Sequence, residues 1–342
     1  MNAPVVATCV VLGAAVVLCW VTSSDALAGS RYPKINLAVG YKVDPAWPRK
    51  PAEYRWRYMT GIAVDAKDRV WTLNQLDPPV QVYSADGKFV AAWGQGHFKN
   101  PHHIVIDRKG NVWITDYGLH VVQKFTQKGK LLLTIGTPNK PGNDATHLNR
   151  PTAAAITPAG DVFVTDGYGN NRIVHFDAQG KFIKTWGKLG VKPGELSQPH
   201  SIALDSKGRL YVGERNNCRI QIFDQSGQSL GQWRHLVNPW GIWITPADEV
   251  YVCGSSPKRW GKHSNLGNPP TDQLVMKLDT DGRVLEVWTF PLLADPDKPN
   301  PGEIDWIHAI AVDSRGDLYL GDVADNSKTH RAQKFIRLPA ED

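Results

Sequence analysis

The sequence predicts an all-β protein, a six-bladed β-propeller with four strands in each blade. Three observations predict this fold. A β-rich unit of roughly 40–50 residues occurs six times in the 342-residue chain. Each unit contains four short apolar runs separated by turn residues. The chain also contains 31 Gly, 24 Pro and 13 Trp, a composition typical of many turns and strands. Repeats of four strands at this spacing are the pattern of propeller blades.

The chain begins with a segment that resembles a secretory signal peptide, residues 1–28. Residues 4–21 are almost wholly apolar, and Ala26-Leu27-Ala28 offers a small-x-small cleavage pattern. Because no Lys or Arg precedes the apolar run, an uncleaved membrane anchor is the alternative. We therefore expect a secreted or periplasmic protein, or a membrane-anchored one if the segment is retained. Cleavage leaves Cys218 and Cys253, which either form one disulfide or stay as free thiols.

Residues 29–59 form an N-terminal segment that prolines interrupt repeatedly, and they can hold one strand, Asn36 to Val43. The propeller is predicted to occupy residues 60–342. Its sixth unit contains only three β-rich runs before the chain ends. We therefore expect the N-terminal strand to supply the fourth strand of that blade and to close the ring, which leaves only short strand edges exposed.

The repeats have well-defined beginnings and turns. Their first strands begin near Thr60, Pro101, Pro151, Pro199, Pro239 and Ile307. Asp-x-x-Gly sequences such as Asp177 to Gly180 lie between the third and fourth runs and predict hairpins. Two long connections, residues 136–151 and 255–271, either shape a binding rim or are plain surface loops.

The head of the first strand carries histidine in every second repeat. The aligned residues are Thr60, His102, Thr152, His200, Trp240 and His308. Alternate blades of a six-bladed ring lie about 120° apart around the axis, so the three imidazoles are predicted to face one point. Three histidines with an open fourth position suit a catalytic zinc or another divalent ion. Strand alternation is expected to turn the neighbouring His103 away from the axis.

Two further residues are predicted to share the same rim. Because neighbouring strands run in opposite directions, the tail of a second strand lies at the same face as the head of a first strand. Tyr168 and Arg215 follow such tails. A phenol beside a cation can have a lowered pKa and act as a base, and an arginine fork suits a carboxylate. The alternative is that both residues merely pack, or pair with neighbouring acids.

The repeats resemble the NHL class of six-bladed propellers and, more narrowly, the peptidyl-α-hydroxyglycine α-amidating lyase (peptidylamidoglycolate lyase) domain. The resemblance covers about residues 60–338. Its most specific segments are Pro101 to Asp116, Val164 to Tyr168 and Pro199 to Leu204. The resemblance implies zinc held by the three histidines of the ring position, with Tyr168 as the catalytic tyrosine and Arg215 as an active-site arginine.

The resemblance also implies a reaction and a substrate. Zinc would bind the α-hydroxyl or the carboxylate of a small-molecule or peptide substrate with a terminal carboxylate. Tyr168 would remove the hydroxyl proton while Arg215 holds the carboxylate. The C–N bond of the carbinolamide would then break, giving an amide and glyoxylate.

The sequence departs from the family pattern at several places, and two of them concern a catalytic cation and a structural metal. Asn74 and Gln75 stand where the family has a second active-site arginine, so that cation is missing. Ala309 stands where the family has an aspartate that binds structural calcium, which argues against calcium in this chain. The net charge of +6 is mild, and there is no Lys/Arg-rich run. We therefore expect no nucleic-acid partner. Separately, we expect the protein to be a monomer.

Three functions stay open at this point. The first is the lyase that the resemblance implies, and the second is another metal-dependent propeller hydrolase or lactonase. The third is a non-catalytic NHL propeller that binds protein or peptide, because a fold does not determine a function. Metal content separates the third function from the other two. The effect of Tyr168→Phe on activity separates the first from the second.

Overall fold

The computed structural model describes residues 40–256, 272–291, 293–295, 297–323 and 332–339. The segment interpreted as a signal peptide and most of the connection at 255–271 lie outside these ranges. The described residues form 24 strands. They contain no helix with the length and apolar character of a membrane span.

The strands form six antiparallel sheets of four strands, which confirms the predicted all-β propeller. Blade one is β2 to β5 (Met59–Val64, Val70–Asn74, Val80–Tyr83, Phe89–Trp93). Blade two is β6 to β9 (Pro101–Ile106, Val112–Asp116, Val121–Phe125, Leu131–Ile135). Blade three is β10 to β13 (Ala153–Ile156, Val162–Asp166, Arg172–Phe176, Phe182–Trp186).

The remaining blades follow the same order, except that the last blade takes one strand from the beginning of the chain. Blade four is β14 to β17 (Pro199–Leu204, Leu210–Glu214, Arg219–Phe223, Ser229–Arg234). Blade five is β18 to β21 (Asn238–Ile244, Val250–Ser255, Leu274–Leu278, Val284–Thr289). Blade six is β22 to β24 (Ile307–Val312, Leu318–Asp322, Ala332–Arg337) with β1 (Tyr41–Asp44) as its outer strand.

The strand β1 lies antiparallel to β24, with Tyr41 opposite Arg337 and Asp44 opposite Lys334. Within the described residues the strand begins at Tyr41, and it ends at Asp44, one residue after the predicted end at Val43. Residues 36–39 lie outside the described ranges. The pairing therefore joins the beginning of the described chain to its last strand.

The strand directions define two faces of the ring. In every blade the first strand begins, and the second strand ends, at one face, here called the upper face. The turns between first and second strands, such as Asp107 to Gly110, lie at the opposite or lower face. Residues that precede the first strands and residues that follow the second strands are consequently neighbours at the upper face.

An aspartate organises four of the six lower turns of this kind, and Thr157 and Thr245 stand at its position in blades three and five. Asp107 accepts hydrogen bonds from the amides of Lys109 and Asn111, at 2.9 and 2.8 Å, and from the indole nitrogen of Trp113 at 3.0 Å. A buried indole needs such an acceptor, which explains why an aromatic residue recurs six positions after the aspartate. The equivalent aspartates accept hydrogen bonds from Trp71, Tyr211 and Tyr319.

Successive blades contact each other through glycines in the outer hairpins. Trp186 of blade three packs against Gly227 of blade four, where a Cβ atom would lie 2.8 Å from the indole ring. Gly227 also has φ +86, a left-handed conformation that residues with a Cβ rarely adopt. Trp93 packs in the same way against Gly129 of the next blade. Glycine is therefore required at these hairpins for the blades to approach each other.

Replacing Gly227 with alanine is expected to destabilise the fold by about 1–3 kcal/mol more than the matched change Gly96→Ala. Gly96 also has positive φ, +66, but nothing lies within 4 Å of its added Cβ. The difference between the two variants therefore isolates the clash with Trp186. Urea unfolding followed by tryptophan fluorescence measures both free energies of unfolding. Equal losses of stability would show that blade contact at Gly227 contributes nothing.

Candidate metal centre and active site

A β-bulge places each of the three ring histidines. In blade two Pro101 pairs with Asp116 and His103 pairs with Thr115, so His102 is the extra residue between them. His200 and His308 are the extra residues at the same point of blades four and six. A bulge re-aims a side chain that regular alternation would direct elsewhere. The bulged histidine at the beginning of the first strand thus directs its side chain toward the axis.

In the three blades that carry a ring histidine, the acid at the end of the second strand holds the connection that leads into that histidine. Asp116 accepts hydrogen bonds from the amides of Lys99 and Asn100, at 2.7 and 3.0 Å, just before Pro101 and His102. Glu214 does the same for the amide of Ser197, and Asp322 for the amides of Asp305 and Trp306. The recurring acid therefore has a structural task, which is to fix the backbone that carries each candidate ligand.

The three histidines lie together on the axis. His102, His200 and His308 are 3%, 2% and 6% exposed. Their candidate ligand atoms lie within 4.8 Å of one another, and their ring centroids are 4.7 to 4.9 Å apart. The structure thus brings together the three residues that the alternation in the sequence singled out.

The other three blades supply the groups that orient these imidazoles. The Nδ1 atom of His102 donates to the carbonyl oxygen of Thr152 at 2.7 Å, and that of His200 donates to the Trp240 carbonyl at 2.7 Å. The Nδ1 atom of His308 donates to the Thr60 carbonyl at 2.9 Å. All three acceptors occupy the same ring position in odd-numbered blades.

This arrangement fixes both the tautomer and the direction of each ring. Nδ1 carries the proton because it faces a carbonyl oxygen, so Nε2 presents its lone pair to the axis. Six equivalent positions therefore alternate between an imidazole and a carbonyl group that orients the imidazole of the preceding blade. Orientation of the second ring nitrogen by a hydrogen bond is usual for metal-binding histidines.

The three imidazoles are neutral. Burial holds the pKa of His102 well below its usual value, with the neighbouring His308 adding to the effect. The pKa of His200 is also far below its usual value because of burial and of Arg215. Burial, assisted by Arg215, lowers the pKa of His308 to about 3. Neutral imidazoles are the form that binds a metal ion.

The Tyr168 hydroxyl lies among these lone pairs. Its oxygen is 3.0 Å from Nε2 of His102 and 3.0 Å from Nε2 of His200, and it accepts a longer hydrogen bond from Arg215 at 3.5 Å. A phenol has one proton and can donate to only one of the two nitrogens. The centre therefore has more acceptors than donors, and a cation satisfies this set of lone pairs. The donor set fits a divalent ion with three nitrogen ligands and an open position.

The pKa of Tyr168 is raised, contrary to the expectation from its neighbouring cation. Burial of the phenol outweighs the opposing effect of Arg215, and Arg150 acts in the same direction as Arg215. Burial lowers the pKa of Arg215 to about 10, so this side chain remains a cation at neutral pH. The residues alone thus keep Tyr168 protonated, and further positive charge is needed to make it a base.

Arg215 is held rigidly at the centre. Its guanidinium carbon lies 3.5 Å from the centroid of the Trp240 ring, and the side chain is fully buried. Stacking on an indole stabilises a desolvated guanidinium. Trp240 therefore has two roles, because its carbonyl orients His200 and its ring positions Arg215.

His103 also lines the axial cavity, which corrects the expectation that alternation turns it away. The bulge at His102 interrupts the regular alternation on which that expectation relied. The cavity of about 490 Å³ extends from the histidines toward the lower turns and is lined by both His102 and His103. Burial lowers the pKa of His103 to about 4, and its Nδ1 faces the amide of Ala154 at 3.5 Å. It does not belong to the cluster of candidate ligands.

The two cysteines that follow the proposed signal peptide are free thiols in this structure. Cys253 is fully buried, and Cys218 is partly buried with its sulfur 3.6 Å from the Arg215 carbonyl oxygen. Of the two alternatives left open by the sequence, the structure shows unpaired cysteines.

Sequence reasoning missed two residues at the upper mouth of the site. The ring of Tyr117 lies 5.7 Å from that of His102 and 5.6 Å from that of Tyr168. The guanidinium carbon of Arg150 lies 5.3 Å from the Tyr117 centroid and 5.7 Å from the Tyr168 centroid. Arg150 stands two residues before the ring position Thr152, so the repeat alignment could have placed it at the rim.

Fold and site together define an NHL-repeat propeller with a candidate metal centre on its axis. The family model described as the NHL repeat matches residues 148–176 and 196–223. The Drosophila melanogaster protein named peptidyl-alpha-hydroxyglycine alpha-amidating lyase 2 is 33% identical over 322 residues, which cover 85% of this chain and 74% of that protein. This chain belongs to the peptidyl-α-hydroxyglycine α-amidating lyase family.

Other relatives are longer or share only the fold. Peptidyl-glycine alpha-amidating monooxygenase B of Xenopus laevis is 30% identical over 307 residues, covering 86% of this chain and 32% of that protein. The chain thus spans about a third of the length of that relative. A solved virginiamycin B lyase from Staphylococcus aureus, a catalytically inactive form with quinupristin, has a TM-score of 0.54 at 20% identity, covering 86% of this chain and 88% of that one. At that identity the likeness concerns the fold alone.

Proposed function

We propose that this protein is a secreted, zinc-dependent carbon–nitrogen lyase. Its substrate is a peptidyl-α-hydroxyglycine or a similar carbinolamide, and its products are an amide and glyoxylate. The observation that carries the proposal is the Tyr168 hydroxyl, which lies 3.0 Å from two inward-facing imidazoles and within reach of Arg215. The apolar segment in residues 1–28 supports secretion, or attachment to a membrane if it is retained.

The metal would be held by Nε2 of His102, His200 and His308. When bound there, a divalent ion supplies Lewis acidity to the substrate oxygen and positive charge that favours the phenolate form of Tyr168. Zinc suits three neutral imidazoles with one position left for substrate. The carbonyl groups of Thr60, Thr152 and Trp240 keep the imidazoles in the tautomer that binding requires.

Tyr168 is the base in this mechanism. Its oxygen takes the proton from the substrate's α-hydroxyl group. The C–O bond of that group becomes the C=O bond of glyoxylate as the C–N bond breaks. The bonding electrons move to the nitrogen, which takes a proton from Tyr168 and becomes the amide NH₂. The hydroxyl proton thus ends on nitrogen, and the products balance the substrate without an oxidant or a water molecule.

Arg215 positions the substrate and balances its charge. A guanidinium that lies beside the phenol can pair with the α-carboxylate through charge-assisted hydrogen bonds. Because its burial removes competing water, this contact is stronger than one at a surface. The carboxylate stays on the glyoxylate product, so the same contact serves substrate and product.

Turnover of α-hydroxyhippurate tests the proposal. The zinc-loaded protein is expected to release benzamide and glyoxylate in equal amounts, and a chelator is expected to abolish this release. Liquid chromatography detects benzamide, and a carbonyl reagent detects glyoxylate. Absence of turnover in a folded protein that retains its metal, with α-hydroxyhippurate and with longer α-hydroxyglycine peptides, would overturn the proposed reaction.

A further inference from the structure

A second cation stands at the mouth of the site. Arg150 belongs to the connection between blades two and three, and its guanidinium carbon lies over the rings of Tyr117 and Tyr168. The side chain is exposed, whereas Arg215 is buried and lies beside the phenol oxygen. Tyr168 therefore contacts a buried cation at its hydroxyl group and an exposed one at its ring.

The backbone around Arg150 directs it to this place. Arg150 has φ +57, its amide donates to Nδ1 of His120 at 3.0 Å, and its carbonyl accepts from the amide of Tyr168 at 3.2 Å. The segment that carries the cation is thus tied directly to the segment that carries the base. A change in the position of one is transmitted to the other.

Within the described ranges, Arg150 makes no salt bridge with a carboxylate. Arg172 of the adjoining blade three, by contrast, donates to the carboxylate of Asp166 at 2.9 Å. Arg150 instead rests on two aromatic rings, which hold a guanidinium in place without neutralising its charge. Its charge is consequently available to an anion that enters the mouth.

We propose that Arg150 is a specificity-determining residue that binds the terminal carboxylate of the substrate from the solvent side. This inference deepens the proposed function, because it names a second contact for the carboxylate beside Arg215. The end of the second strand of blade one carries no cation, since Asn74 bonds the Pro78 and Pro79 carbonyls and Gln75 bonds the Pro101 carbonyl. Arg150 supplies a positive charge beside Tyr168 that Asn74 and Gln75 do not.

The substrate class follows from this geometry. Two guanidinium groups next to Tyr168 favour a compound whose carboxylate is adjacent to the reacting carbon, and they discriminate against esters and amides of the same acid. Specificity of this kind arises from charge-assisted contacts that a neutral analogue cannot make.

Kinetics of Arg150→Ala test this role. The variant is expected to raise KM for α-hydroxyhippurate about tenfold or more, with kcat changed less than about threefold. With the methyl ester of α-hydroxyhippurate, KM is expected to be the same for the variant and the parent. Arg150→Lys keeps the positive charge but loses the planar guanidinium that can form two hydrogen bonds to a carboxylate, so its KM is expected to lie between those of the parent and Arg150→Ala. Arg108→Ala is the matched control, because Arg108 is an exposed arginine at the lower end of the same cavity.

Binding of hippurate, which lacks the reacting hydroxyl group, separates this inference from the proposed reaction. Calorimetry with the zinc-loaded protein is expected to show a loss of affinity of about tenfold in Arg150→Ala and none in Arg108→Ala. If the parent binds hippurate in this way but turns over no α-hydroxyglycine compound, the reaction fails and the carboxylate site stands. Equal affinity in the parent and Arg150→Ala, or no hippurate binding at all, overturns the inference.

Discussion

Replacing His102, His200 and His308 together with alanine is expected to reduce the metal content from about one ion per chain to none. The three Nε2 atoms converge on one point, and burial keeps all three imidazoles neutral. Removal of all three leaves the axis without a nitrogen ligand from this cluster. Elemental analysis of the purified protein after incubation with zinc measures the change, and lyase activity should be lost with the metal.

His103→Ala is the matched control for that experiment. His103 is a half-buried histidine in the same cavity, next to His102 in sequence, but it lies outside the cluster of candidate ligands. The control variant is expected to keep its metal. A parent protein that takes up no zinc, or a triple variant that binds as much zinc as the parent, would refute the metal centre and favour a propeller that only binds protein or peptide.

Replacing Tyr168 with phenylalanine is expected to lower kcat by about 10²- to 10⁴-fold, the usual contribution of a general base. The change removes one oxygen atom and leaves the ring that packs against Tyr117 and His102. Because the three histidines supply the ligands, the metal content should stay at the level of the parent. Steady-state kinetics and elemental analysis of the same preparation test both statements.

Tyr117→Phe is the control for loss of a hydroxyl group at the mouth. The Tyr117 ring contacts His102 and Tyr168 through its edge and face, and its hydroxyl group has no part in the proposed chemistry. We expect kcat to change less than about threefold. Full activity of Tyr168→Phe, with metal retained, would instead indicate a metal-dependent enzyme that works through another base, such as a hydrolase or lactonase.

The fold and the histidine cluster were predictable because the turns of each repeat contain residues whose hydrogen bonds the turn requires. The aspartate of the lower turn needs its amide and indole donors, and the acid at the end of the second strand holds the chain that enters the same blade. Once six copies are aligned, one position per blade must face the axis. The alternation at that position then predicts three convergent imidazoles.

Other features of the site depend on local geometry that the repeat pattern does not specify. The bulge at His102 changes the direction of His103, and no residue type in the sequence marks a bulge. The raised pKa of Tyr168 depends on how deeply the phenol is buried, and burial acts against the cation next to it. Arg150 lies in a connection between blades, where the path of the chain is set by hydrogen bonds such as that to His120.

The pairing of β1 with β24 has a practical consequence for handling the protein. Tyr41, where β1 begins, lies opposite Arg337, where β24 ends. Because β24 starts at the upper face, both of these residues lie at the lower face, away from the mouth that Tyr168 and Arg150 occupy. A sensor chip or bead coupled next to Tyr41 or Arg337 therefore leaves the face that carries Tyr168 and Arg150 turned toward the bulk liquid.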